Sequence, residues 1–244
     1  TYSEGTPSAS VYATQVTLDR NGFSADLVTS VGEAKLEAEL LGSFNFSNVL
    51  AVVTAMIGYL GVESRESLQA LCDEVARLKP VSGRMEIVGS SDITAVVDYA
   101  HTPDGLCSAL SALRDHFDGA IWCVFGCGGN RDKGKRPMMG EIAEQYADHI
   151  ILTDDNPRND AGEEIVPHIL SGMSEPAECL VIRDRSLAIK AAVSQAAPGD
   201  GVLVAGKGHE SYQESHGVRS LFSDKNQLRI AMQARIGNTG GETL

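Results

Sequence analysis

Between Ser10 and Gly42 apolar and polar positions alternate, in SVYATQVTLD (10–19), GFSADLVTSV (22–31) and EAKLEAELLG (33–42). A period of two interrupted by glycine and Asn-Gly turns predicts a small antiparallel meander. The alternation then stops. NFSNVLAVVTAMIGYLGV (45–62) reads as a buried helix opened by Ser or Asn capping, and ESRESLQALCDEVARL (63–78) as an amphipathic helix. KPVSGRMEIV (79–88) breaks the pattern with a proline, a glycine and a charged turn, so a domain boundary is expected near Leu78.

Beyond it strands and helices take turns. ITAVVDYA, AIWCVFG, HIILTD, CLVIRD and GVLVAG read as strands. PDGLCSALSALRDHF, RPMMGEIAEQYA, GEEIVPHILSGM, RSLAIKAAVSQA and KNQLRIAMQARI read as helices. The expected fold class is α/β: a Rossmann-like, mainly parallel sheet with helices on both faces, preceded by a smaller unit of short antiparallel strands and helices. Ligands in such sheets sit at the carboxyl ends of strands. The chemistry is therefore expected in DYAHTPD, GCGGNRDKGKRP, TDDNPR, RDRS and AGKGHES.

The 244 residues, 43% hydrophobic, suffice for one large domain or two unequal ones. No uninterrupted apolar run reaches the roughly 18 residues of a membrane span, and the N-terminus lacks the basic and apolar regions of a signal peptide, so no membrane association is expected. A net charge of −13 repels phosphate backbones and argues against nucleic-acid binding. Five cysteines without zinc spacing read as reduced thiols of a cytoplasmic protein, and no metal site is expected within the chain.

GNRDKGKR (129–136) nearly spells a phosphate-binding loop, but Arg136 stands where the magnesium-binding hydroxyl would be. A solvated basic turn, or an anion site built from Arg131, Lys133, Lys135 and Arg136 before a helix N-terminus, are the remaining readings. In AGKGHES, Gly206 and Gly208 let a ligand approach the backbone, and Glu210 is either a binding carboxylate or a surface one. Asp98 and His101 follow a strand and could equally stabilise the turn. Arg84 could be a hinge salt bridge. In TDDNPR, Pro157 pushes Asn156 into an extended conformation. Arg158 either pairs with Asp154 and Asp155 or offers its fork to a ligand carboxylate. The second case describes a zwitterion site, with Arg158 and Arg131 taking carboxylate and Glu210 and Asp155 taking ammonium.

FNFSN, SGRME, VVDYAHTPD, FGCGGNRDKGKRP, TDDNPR and LVAGKGHE occur here in the order found in the Mur ligases that build the peptidoglycan stem peptide. The chain resembles the diaminopimelate-adding members of that family nearly end to end. The resemblance implies ATP-dependent amide formation, with ATP and Mg2+ as cofactors: the D-Glu side-chain carboxylate of UDP-N-acetylmuramoyl-L-Ala-D-Glu becomes an acyl phosphate that an amine of meso-diaminopimelate attacks. It implies a meso-diaminopimelate site of Arg131, Asp155, Asn156, Pro157, Arg158, Gly206 and Glu210. It places Asn45, Asn48, Arg84, Asp98 and, less directly, His101 at the nucleotide. Residues 1–77 would be the tail of a central ATP-binding domain, and residues 78–244 the C-terminal amino-acid-binding domain of a monomer. The family's G-T-N-G-K-[ST] loop and its carbamylated, magnesium-binding lysine are absent, so these residues alone are expected to recognise but not to ligate. A lysine-adding ligase, or a non-catalytic amino-acid-binding module, are the alternatives.

Overall fold

The computed structural model describes residues 2–5, 9–160 and 162–239. The chain divides into two compact units, Thr1–Pro80 and Val81–Leu244.

In the first unit, β1 (Tyr2–Glu4), β2 (Val11–Asp19), β3 (Gly22–Thr29) and β4 (Gly32–Ala38) form one sheet in that order. The meander β2-β3-β4 is antiparallel as its alternation predicts, with a register shift between Thr14 and Thr17. β1, which has no pattern long enough to read, adds in parallel to β2. Two helices follow, α1 (Ser43–Leu60) and α2 (Arg65–Val75). Phe46, Val49, Leu50 and Val53 of α1 join Leu27, Leu36, Leu68 and Cys72 in one core. The expected side-chain cap of α1 is absent: Gly42 is its N-cap, and Asn45 donates back to the Leu41 carbonyl at 2.7 Å. α2 is capped by Ser64 and Ser67 reciprocally. By length and composition α1 is also long and apolar enough to cross a membrane, although polar residues interrupt its apolar run. Here its Phe46–Val53 stripe is buried in the core.

In the second unit, β5 (Glu86–Ser90), β6 (Thr94–Asp98), β7 (Ile121–Phe125), β8 (His149–Leu152), β9 (Leu180–Val181) and β10 (Gly201–Ala205) form a sheet of order β5-β6-β10-β7-β8-β9. All neighbours are parallel except β5, antiparallel to β6. β6, β7 and β10 are buried at all five positions, as central strands covered on both faces must be. Ala95, Val97, Trp122, Val124, Val202 and Val204 face α6 (Arg185–Gln195) and α7 (Asp224–Thr239). The alternate residues face α3 (Pro103–His116), beside which lie α4 (Lys135–Tyr146) and α5 (Gly162–Leu170). Two features differ from the sequence expectation. SGRMEIV, read as a break, supplies the edge strand β5, whose five residues show no full burial to mark them. Past β10 a hairpin, β11 (Tyr212–Ser215) and β12 (Val218–Leu221), forms a separate two-stranded sheet turned at His216-Gly217.

Candidate functional site

The loops after β7, β8 and β10 meet at the carboxyl edge of this sheet. β8 ends at Leu152, and the following turn is held from several sides. Asp154 does not pair with Arg158. It takes two hydrogen bonds from Arg183, at 2.5 and 2.8 Å, which joins the loops after β8 and β9. Gln213 of the hairpin donates to the Asp154 and Asp155 carbonyls at 3.2 and 2.8 Å. Arg158 sits at φ 53°, a left-handed conformation that costs a non-glycine residue roughly 1–3 kcal/mol. Its N–H donates to the Glu214 carbonyl at 3.0 Å and its carbonyl accepts from His216 N–H at 2.6 Å, so the hairpin backbone imposes that conformation.

Asn156 is 2% exposed, and both polar atoms of its side chain are hydrogen-bonded. Its Oδ1 accepts from Lys207 Nζ at 2.8 Å and from Glu214 N–H at 2.9 Å, and its Nδ2 donates to Glu210 Oε2 at 2.9 Å. Two donors on one side and a carboxylate on the other leave the amide a single orientation. Glu210 is therefore no loose surface carboxylate. Asp155 is 9% exposed, and its Oδ2 has no hydrogen-bond partner. Gly206 (φ 118°) lies against it: a Cβ there would stand 2.6 Å from that oxygen.

The glycine-rich loop after β7 locks onto the same turn. Gly129 N–H donates to the Asn156 carbonyl at 2.9 Å, and Arg158 Nη1 donates to the Gly129 carbonyl at 3.0 Å. Gly128 leaves space between the Arg158 guanidinium and the stem of the Arg131 side chain. A Cβ at that position would lie 2.8 Å from Arg158 Nη1 and 3.6 Å from Arg131 Cγ. The four-base anion loop does not form as a unit. Arg136 is completely buried, bonded to Asp160 at 2.7 Å and to His168 Nδ1 at 3.1 Å, and is unavailable to a ligand. Lys135 Nζ is bound to the His101 carbonyl at 2.6 Å. Arg131 and Lys133 remain exposed.

Beneath these groups lies a charged core that the spacing of residues did not announce. Arg185 and Asp224, both 0% exposed, form a two-bonded pair at 2.7 and 2.8 Å, and Arg185 also donates to the Ala205 carbonyl. Lys207 is 0% exposed; burial pulls its ammonium below the ordinary lysine range, against the attraction of Asp155 and Glu210.

Arg84, from the turn before β5, joins Asp98 and His101 at the end of β6 as a second group. Asp98 Oδ2 accepts from Met85 N–H at 2.8 Å and Oδ1 from Ala100 N–H at 2.7 Å, while burial raises its carboxyl above the usual range. The Arg84 guanidinium lies 4.6 Å from the Tyr99 ring centre, and Tyr99 packs edge-on to His101 and against His209. Asn45 and Asn48 belong to α1 of the other unit; Asn48 is exposed. All five cysteines are free, and among the described residues no cluster of histidine, cysteine or carboxylate side chains could hold a metal ion.

A family model described as Mur ligase, glutamate ligase domain, matches residues 83–208. A UDP-N-acetylmuramoyl-L-alanyl-D-glutamate--2,6-diaminopimelate ligase of Alkalilimnicola ehrlichii is 48% identical over 235 residues, covering 96% of this chain and 46% of the relative. A relative of the same name from Vibrio parahaemolyticus is 45% identical over 216 residues, covering 88% and 43%. A solved structure of a ligase of that name superposes with a TM-score of 0.80 at 40% identity, covering 96% of this chain and 47% of that one. The chain thus spans about half the length of the curated relatives it matches.

Proposed function

Since the chain belongs to the Mur ligase family, we propose that it is part of an ATP-dependent ligase that adds meso-diaminopimelate to UDP-N-acetylmuramoyl-L-Ala-D-Glu in peptidoglycan precursor synthesis. In this reading the Val81–Leu244 unit is the amino-acid-recognition domain and the Thr1–Pro80 unit is a portion of the central ATP-binding domain.

The observation that carries the proposal is the placing of the Arg158 guanidinium and the Arg131 side-chain stem on either side of Gly128, next to a turn in which Asn156 aligns Glu210. Meso-diaminopimelate has an amino-acid head at each end, and its distal head is a zwitterion. Arg158 and Arg131 would take the distal carboxylate, and Glu210 with Asp155 the ammonium. Gly206 carries no Cβ to crowd the Asp155 carboxylate. Lysine, which lacks that carboxylate, leaves the arginines short of their partner, at about 1.5–3 kcal/mol per lost charged hydrogen bond. A site built on such a contact can reject the analogue by about 10⁴-fold.

ATP supplies the activation, converting the D-Glu side-chain carboxylate to an acyl phosphate from which phosphate leaves as the amide forms. This unit's contribution is to hold the attacking amino acid in place. Arg84, stacked on Tyr99 and backed by His101, is the cation we assign to the nucleotide, with Asp98 fixing the backbone beside it. Asn45 and Asn48, on α1, are assigned as nucleotide contacts of the Thr1–Pro80 unit. Among the described residues no cluster of histidine, cysteine or carboxylate side chains fits a magnesium ion.

Titration of the chain with meso-diaminopimelate and separately with L-lysine, followed by backbone amide shifts, tests the reading. Shifts at Asn156, Arg158 and Gly206 with diaminopimelate alone are expected; equal responses to both ligands favour a lysine-adding ligase.

A further inference from the structure

Lys207 lies at the centre of the recognition site, and the zwitterion reading assigns it nothing. Its side chain is completely buried, which is rare for lysine without a compelling set of partners. Those partners are the two groups that would face the ligand. Its Nζ donates to Asn156 Oδ1 at 2.8 Å and lies 3.5 Å from Glu210 Oε2, with the Tyr212 ring centre at 5.8 Å. Asn156 Nδ2 closes the triangle on the same Glu210 oxygen. Glu210 Oε1 takes no hydrogen bond among the described residues, so the triangle leaves one oxygen of that carboxylate free.

We infer that Lys207 is a positioning residue that determines amino-acid specificity: a resident ammonium that orients Asn156 and Glu210 and makes the site demand a ligand carboxylate. The inference rests on the zwitterion reading and deepens it. Without the Lys207 cation, the ammonium end of the site, Asp155 and Glu210, would have no lysine charge set against its two carboxylates and would be more open to any ammonium. With it, one of the two carboxylate charges is already answered inside the protein. A ligand bearing a terminal ammonium alone then adds a cation beside Lys207, Arg158 and Arg131. A ligand bearing ammonium and carboxylate together adds no net charge and satisfies the arginines. Rejection of the singly charged end thus comes from repulsion as well as from a missing contact. The burial that draws down the Lys207 ammonium also sharpens this discrimination, because charge interactions weaken less where water is excluded.

The test uses the 244-residue chain and its Lys207→Met and Lys207→Arg variants. Methionine keeps much of the volume and loses the charge; arginine keeps the charge. Two readouts are taken by NMR. The first is the Asn156 side-chain amide in the absence of ligand. The second is the ratio of affinities for meso-diaminopimelate and L-lysine. In Lys207→Met the Asn156 amide signals are expected to shift and to exchange with solvent about tenfold faster, as a lost charged hydrogen bond implies. The affinity ratio is expected to fall by about tenfold or more, partly through better lysine binding, and Lys207→Arg to restore part of it. A merely structural lysine would weaken both ligands together and leave their ratio unchanged. A folded Lys207→Met chain with a wild-type Asn156 signal, or with the wild-type ratio, overturns the inference. Failure of the wild-type chain itself to prefer diaminopimelate overturns the recognition reading and this one together, and is told apart because it shows before any substitution is made.

Discussion

Asn156 and Glu210 are 54 residues apart in the chain, and Asn156 Nδ2 donates to Glu210 Oε2 at 2.9 Å. The loops after β8 and β10 are coupled through this amide, which also takes Lys207 Nζ and the Glu214 N–H. Asn156→Ala removes a partner from all three at once. Leaving such groups unsatisfied costs about 1–3 kcal/mol. A lower urea midpoint is expected, together with loss of amide response to meso-diaminopimelate. An unchanged midpoint would mean that water replaces the side chain without cost.

Gly128→Ala probes the space between the Arg158 guanidinium and the Arg131 side chain. The added methyl would meet Arg158 Nη1, the far end of a flexible side chain, so stability is expected to change by less than about 1 kcal/mol while the guanidinium moves. Diaminopimelate affinity should drop about tenfold with the thermal midpoint nearly constant. Retained affinity would remove Arg158 and Arg131 from the carboxylate site.

In the complete ligase, Arg158→Ala should raise KM for diaminopimelate and leave KM for ATP near the wild-type value. Asp98→Ala should act in the opposite sense, because it frees the Met85 and Ala100 N–H groups beside Arg84. Equal effects on both substrates from either variant would contradict its assignment.

Asp224→Ala strands Arg185, which is completely buried and has Nη1 already unpartnered. Breaking a buried pair on one side costs about 3–5 kcal/mol, the largest destabilisation expected from these substitutions. Chemical denaturation measures it. A loss below about 1 kcal/mol would indicate that the guanidinium finds water.

Acid should destabilise the fold. Arg235 holds Asp92, Arg136 holds Asp160 and Ser186 holds Asp184 below the usual carboxylate range through hydrogen bonds. Lowered folded values give stability that is present above the unfolded value of about 4 and is lost as pH falls through the folded values. Asp98, raised by burial, acts with the opposite sign. Unfolding free energies between pH 7 and pH 2.5 should stay level to about pH 4 and then decline. A rise on acidification would show Asp98 dominating the balance.

Much of this protein was legible in one dimension. Alternation marked β2 to β4, because a half-buried strand must place every second residue inwards. Continuous apolar runs marked β6, β7 and β10, because those strands are covered on both faces. The charged and glycine-rich loops stood out because nothing in a turn requires so many of either. What local sequence could not express was pairing across distance. Asp154 chooses Arg183 over Arg158, four residues along its own loop, and Arg136 turns inward to Asp160 rather than outward with its basic neighbours. Strand β5 and the β11–β12 hairpin exist because neighbouring backbone is there to pair with, not because their side chains alternate cleanly. The residue types of the site were thus determined by sequence alone. Which of them are spent on one another, and which keep unpaired polar atoms, was decided by the tertiary structure, since a charge takes its partner from whatever the fold brings within about 3 Å.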